Sequence, residues 1–286
     1  MNRDSKRSVN VVKYSDKEIQ LLFTEYPVVL VNALRRLSLS DVPSLAVDFV
    51  YVYDNSSSVF DEILAHRLGM LVFESDEALD KLGSPEACKD SNEEDEKCYV
   101  KLVLNTGVDE GEKQGRFVTA SEISVNSNFT RILYPETPLL YLIPGQRVHV
   151  VAYARLGRGK EHAKWSPASA ATLQYMPRIS FNGKKASEKC LKCLEAYPEV
   201  VEKLKEGGEG TIEIMENINT SGLVYCADTD CSGAIEVEYD ESRLILTIES
   251  TGALKPERIV LESVKALEAR ARRLIERLEE VEGEAS

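Results

Sequence analysis

Residues 28–53 read VVLVNALRRLSLSDVPSLAVDFVYVY, and the period of the apolar positions changes inside this stretch. In its first half Val28, Val31, Leu34 and Leu37 recur every three residues, with Leu30 and Ala33 widening the stripe. That is the spacing of one face of a helix. Pro43 disfavours helical geometry in the residue before it, so the helix is predicted to stop near Asp41. From Ala46 to Tyr53 the pattern becomes β-rich and alternating, which reads as a strand. A helix that gives way to a strand within a few residues implies an α+β chain. Upstream, Glu18–Phe23 reads as a short strand. Thr24-Glu25-Tyr26-Pro27 then leads into the helix, with Thr24 as a cap and Pro27 near the first turn.

Beyond Tyr53, residues 54–58 are turn-like and Phe60–Leu68 reads as a short helix. Strands are predicted at Cys98–Leu104, Arg116–Thr119 and Arg147–Ala154. The segment 76–97 carries nine acids and three bases and is predicted to be a solvated excursion. A small-residue stretch follows at Ala168–Thr172, and residues 186–236 hold four of the six cysteines. Glu238–Ser250 reads as a pair of strands turning at Asp240-Glu241.

The strongest pattern lies in Pro256–Val281. Val260, Val264, Leu267, Ala271, Leu274, Leu278 and Val281 are separated by steps of 4, 3, 4, 3, 4, 3. This is an unbroken heptad stripe, the requirement for a seam against another helix. Ile259, Leu261 and Ile275 widen it. Two covers satisfy such a stripe: the chain's own domain, or a helix of another chain.

Composition narrows the classes. The chain has 286 residues, a net charge of −13, 43% apolar and 29% charged residues. This excludes a wholly disordered chain, a fibre and a membrane protein, and the length suits two domains or three. The strong negative charge argues against a direct phosphate-backbone binder. Residues 1–8 are polar and no secretory apolar core follows them, so a cytoplasmic location is expected. The longest apolar runs fall far short of the ~20 residues that span a bilayer. Cytosolic cysteines point to metal or redox chemistry, except in hyperthermophiles, where intracellular disulfides occur. Cys190-x-x-Cys193 has metal-type spacing, and Cys226 and Cys231 form a second pair. Asp61-Glu62 and His66-Arg67 lack the HExxH arrangement, and with only three histidines a hydrolytic triad has little material.

Taken in order, several motifs resemble one family. They are Asn32-Ala33-Leu34-Arg35-Arg36-Leu37, Asp41-Val42-Pro43-Ser44-Leu45-Ala46-Val47-Asp48, Asn55–Ser58, Asp61-Glu62 and Ala65-His66-Arg67-Leu68-Gly69. Gly159-Lys160-Glu161-His162-Ala163-Lys164-Trp165-Ser166-Pro167 completes the set. Together they resemble the RNA polymerase assembly subunits related to bacterial alpha, most closely their archaeal members. The resemblance implies a discontinuous alpha-like dimerisation domain made of residues 1–45, 169–185 and 237–286. It implies a β-rich inserted domain at 46–168 and a small ferredoxin-like insert at 186–236. It implies a non-catalytic scaffold that pairs with a small subunit L and nucleates assembly with small subunits N and P and the large catalytic subunits. DNA would be reached only through that complex. Interface residues would be Val28, Val31, Leu34, Arg35 and Arg36 on the first helix, and the seven stripe residues Val260, Val264, Leu267, Ala271, Leu274, Leu278 and Val281. Arg35 and Arg36 would pair on the helix surface or meet carboxylates of a larger subunit.

In many archaeal relatives the ferredoxin-like insert holds an iron–sulfur cluster through a C-x2-C-x2-C-x3-C run. This sequence departs from that run, since residues 227–230 carry no cysteine. Cys190, Cys193, Cys226 and Cys231 therefore leave three outcomes: a structural iron–sulfur or zinc site, one or two disulfides, or packed thiols. Cys88 and Cys98, where eukaryotic relatives carry a zinc loop, suit a disulfide or a remnant. The rival readings are a free-standing ferredoxin-like iron–sulfur electron carrier and an acidic adaptor that never joins polymerase.

Overall fold

A computed structural model describes residues 7–92, 95–213 and 220–284. Residues 1–6 of the polar leader, Glu93 and Glu94 of the acidic excursion, and residues 214–219 of the cysteine insert lie outside them. The chain opens with β1 (Ser8–Tyr14), β2 (Glu18–Thr24), α1 (Val28–Ser40), β3 (Pro43–Asn55), α2 (Asp61–Gly69) and α3 (Ala78–Lys81). The middle adds β4 (Tyr99–Gly107), β5 (Arg116–Thr119), β6 (Ser124–Val125), β7 (Pro138–Leu142), β8 (Arg147–Arg158) and β9 (Ala168–Asn182). Then follow α4 (Glu188–Cys193), α5 (Pro198–Lys205), β10 (Glu209–Glu213), α6 (Thr220–Asp228), β11 (Ile235–Ser250) and α7 (Pro256–Glu284).

The chain divides into two compact units that cut across the five segments drawn from sequence. One comprises Met1–Ser15, Ile19–Asn32 and Thr172–Thr247. Its sheet has the order β1-β2-β11-β9-β10. β2 is buried along almost its whole length: Ile19, Leu21, Leu22 and Phe23 are buried apolar residues, with the polar Gln20 buried among them. Thr24 closes β2 and does not cap α1. Glu25 makes the turn between them with φ 60, and its N–H donates to the Ser242 carbonyl at 2.7 Å. β11 runs unbroken through Asp240-Glu241, where the predicted hairpin turn is absent. The Asp240 carboxylate accepts instead from the Ser242 N–H and hydroxyl at 3.0 and 2.6 Å, so the turn-like residues serve a side-chain hydrogen bond within one strand.

A small lobe of this unit contains the four clustered cysteines. Its core joins Cys190, Leu194, Val200, Leu204, Leu223, Cys226 and Cys231 to Ile179 and Ile235. Disulfides link Cys190 to Cys231 and Cys193 to Cys226.

The second unit comprises Asp16–Glu18, Ala33–Ala171 and Ile248–Ser286. A four-stranded antiparallel sheet, β3-β8-β4-β6, forms its centre, with β5 and β7 paired beside it. The core takes Leu45 and Val47 from β3, Leu64 and Leu68 from α2, and Val100, Leu102 and Leu104 from β4. Fully burying each such side chain contributes about 1.5–3 kcal/mol. The opposite face of the sheet carries aromatic rings, with Phe49 stacked on Tyr153 at 5.1 Å. Gly157 lets the Trp165 ring lie directly on β8, since a Cβ there would come within 2.4 Å of the indole.

The acidic excursion is more than a solvated loop. Ala78 and Leu82 join the core, Cys88 and Cys98 are buried and disulfide-bonded, and most of its described charged residues are exposed.

Candidate functional site

The heptad helix α7 divides into a covered and an uncovered half. Near its start Pro256, Ile259 and Ser263 are buried, with Ile259 at 0% exposure. Val260 and Leu267 are half-buried, and Val264 is exposed. From Glu268 to Val281 every residue is exposed, including Ala271, Leu274, Leu278 and Val281. So the first turns dock on the chain itself, while the last two heptads present an apolar stripe that the chain leaves bare. Of the two covers read from sequence, the chain's own is realised at the start of α7, and the far end is left uncovered.

The start of α7 is fixed by charge. Arg258 bonds Asp80 at 2.7 Å and Glu262 at 3.0 Å, and the Lys255 N–H donates to Asp76 at 3.3 Å. Burial holds the Asp76 carboxyl above its ordinary value against the pull of that bond and of the nearby cations.

The first helix behaves differently from expectation. Val31 and Leu34 are 0% and 7% exposed within this chain, so they serve its own interior and are not free for another subunit. The exposed apolar residues are Val28, Val29 and Leu30 at the start of α1. The reason is the helical stripe itself: with Leu37 it fills the covered face, and the exposed start lies beside it. Arg35 is half-buried and donates to the Ala171 carbonyl at 3.4 Å, whereas Arg36 is exposed.

The motif around Trp165 forms a packed corner. Trp165 is buried and donates its indole N–H to the Arg155 carbonyl at 3.2 Å. Arg155 and Lys164 lie over the ring at 4.6 and 4.2 Å, and Arg155 also bonds Asp48 at 2.7 Å and Glu161 at 3.3 Å. His162 accepts the Lys164 N–H, which is a local structural role. Arg67 donates to the Pro138 carbonyl and Asp61 accepts from Asn55 at 2.7 Å, so that motif also braces the fold.

A cluster absent from the sequence reading lies at the end of α1. The buried Asp41 accepts from Arg270 of α7 at 2.6 Å and from Ser40 at 2.5 Å, with Lys160 at 3.7 Å. Burial pushes its carboxyl up, but the Ser40 and Arg270 hydrogen bonds and the two cations outweigh this and hold it below 3.8. A carboxyl lowered on folding contributes stability above its unfolded value, and loses it as pH falls through the lower folded value. We therefore expect thermal stability to drop on acidification below about pH 4, and the Asp41→Asn variant to lose less over that window. Parallel melting curves of the two proteins from pH 6 to pH 2.5 check this; equal slopes would refute it.

The cysteine lobe does not suit a cluster in this form. All four sulfurs are consumed in pairs, and no group of three or more His, Cys, Asp or Glu that could hold a metal ion occurs among the described residues. The pairing also crosses the two sequence pairs, joining each half of Cys190-x-x-Cys193 to a distant partner.

Comparison with known proteins agrees with this geometry. Residues 20–271 match the RNA polymerase Rpb3/Rpb11 dimerisation domain. This chain belongs to that family. The DNA-directed RNA polymerase subunit Rpo3 of Aeropyrum pernix is 49% identical over 280 residues, 98% of each chain. Its counterpart in Methanothermobacter thermautotrophicus is 33% identical, covering 91% of this chain and 95% of its own. The DNA-directed RNA polymerase II subunit rpb3 of Dictyostelium discoideum is 30% identical, covering 91% and 90%. Membership of the Rpb3 family over nearly the whole length leaves no support for a free-standing electron carrier. For an Rpb3-like chain the bare stripe on α7 is the feature to explain. Among the described residues no helix is long and apolar enough to cross a membrane.

Proposed function

We propose that this chain is a non-catalytic scaffold subunit of a cytoplasmic DNA-dependent RNA polymerase. The uncovered half of α7 pairs with a small subunit of the L type, and the pair then gathers subunits N and P and the large catalytic subunits. DNA is reached only through that assembly, in keeping with a net charge of −13. The observation that carries this reading is the exposed heptad stripe Ala271-Leu274-Leu278-Val281 in a chain of the Rpb3/Rpb11 dimerisation family. An apolar stripe of this length in water favours a covering helix. The exposed Val28, Val29 and Leu30 are a second apolar edge suited to the same kind of partner. We assign the cysteine lobe a structural role, held by its disulfides, and the residues 1–45, 169–185 and 237–286 the pairing role. The full-length chain, tagged in its native cells and gently purified, should bring down the large and small polymerase subunits in equal amounts. Recovery of the chain alone would overturn the proposal.

A further inference from the structure

Four charged residues, far apart in sequence, form one continuous chain of bonds that ends on α7. Glu86 sits in the excursion just before the Cys88–Cys98 disulfide. Arg158, the last residue of β8, grips it through Nε and Nη2, each at 3.0 Å. The Nη1 of Arg158 donates to the carbonyl oxygen of Asp41. The Asp41 carboxylate in turn accepts from Nη2 of Arg270 at 2.6 Å.

The location of Asp41 is costly on two counts. It directly follows α1, where the negative end of the helix dipole opposes a carboxylate. It is also buried, which penalises a charge unless cations and donors surround it. Arg270, Lys160 and the Ser40 hydroxyl meet that need. Arg270 is also the point where α7 leaves cover. Buried residues end at Ser263, half-buried ones at Leu267, and all from Glu268 to Val281 are exposed. Beyond Arg270, no hydrogen bond from α7 to another element occurs among the described residues; Arg272 and Arg273 bond only within the helix. The last tether of the helix is thus the Asp41–Arg270 pair.

We propose that Asp41, backed by Arg158 and Glu86, is a positioning residue for subunit pairing. It fixes the direction in which the uncovered half of α7 projects, so that the bare stripe is presented preorganised to its partner. An unfixed helix would have to be ordered on binding, and ordering lowers affinity. This rests on the pairing function proposed above.

The test uses the full chain and purified subunit L. Binding is measured by calorimetry for wild type, Arg270→Gln, Asp41→Asn and Glu86→Gln, with Arg270→Lys as the conservative variant. The unbound chain is also spin-labelled at Lys101→Cys and Glu279→Cys to read the spread of distances to the helix tip. We expect Arg270→Gln to weaken binding at least fivefold and to broaden the distance distribution. Arg270→Lys should recover most of both. The Asp41→Asn/Arg270→Gln double variant should be no worse than the poorer single one. Arg270 is about half exposed, and far-ultraviolet circular dichroism of Arg270→Gln alone checks that it keeps the fold, so this variant decides the matter even if Asp41→Asn is unstable. Affinities within twofold of wild type overturn the proposal. Weaker binding with an unchanged distance distribution also overturns it, because Arg270 would then contact the partner directly. A wild-type chain that does not bind L at all overturns the pairing function, and this inference with it.

Discussion

A chain carrying Leu274→Asp and Leu278→Asp should fold like the wild type and fail to pair with subunit L. The two side chains are 61% and 56% exposed in the isolated chain, so its own stability gains little from them. In a helical seam both would be covered. Covering a leucine contributes about 1.5–3 kcal/mol, and placing a carboxylate there adds the cost of burying an unpaired charge. The leucine terms alone sum to about 3–6 kcal/mol, or roughly a hundred- to ten-thousandfold in dissociation constant. Leu267 is a poorer probe because it is already half-buried, and its replacement would mix folding with pairing. Size-exclusion chromatography of an equimolar mixture, with far-ultraviolet circular dichroism of the variant alone, separates the two effects. A normal one-to-one complex would show that the stripe is not the seam.

The helix α7 and its apolar stripe were legible because a heptad pattern is local. So was the change of period in residues 28–53, which marks the junction of α1 and β3 to within a few residues. What was not legible depends on distance along the chain. β1 escaped notice because Val9, Val11 and Tyr14 are exposed on a strand whose ladder is set by its neighbour β2. β11 was read as two shorter strands and β9 only as a small-residue stretch at its start, since the sheet that draws them out is not written in either segment. The same holds for Asp41. Its partners Lys160 and Arg270 lie more than a hundred residues away, and nothing near Asp41 distinguishes it from an ordinary helix-terminal aspartate. Val31 and Leu34 show the converse limit. Helical spacing identifies an apolar face correctly, but does not say whether that face meets its own chain or another.

The cysteines illustrate how spacing can be read correctly and still mislead. Cys190 and Cys193 lie three residues apart on α4, hence on one face of a helix, which suits a metal site. It suits equally well two disulfides to a facing segment, and Cys226 on α6 and Cys231 just beyond it supply the partners. The consequence is a large and local stability effect. Replacing Cys190 and Cys231 together by alanine should lower the stability of the lobe by about 2–4 kcal/mol, the range expected when a loop of this size is no longer closed. Alanine is the apt replacement because both sites are buried, at 0% and 1% exposure, and a serine hydroxyl there would add an unsatisfied polar group. The rest of the lobe core, with Leu194, Val200, Leu204 and Leu223, is untouched, so the loss should be partial. Denaturant titration should show it as an earlier transition, while affinity for subunit L stays within about threefold of wild type, because none of the stripe residues lies in the lobe. An unchanged transition would mean that the core alone sustains the lobe. A parallel loss of pairing would mean that lobe and seam fold as one cooperative unit, and the pairing role would then extend to residues 186–236.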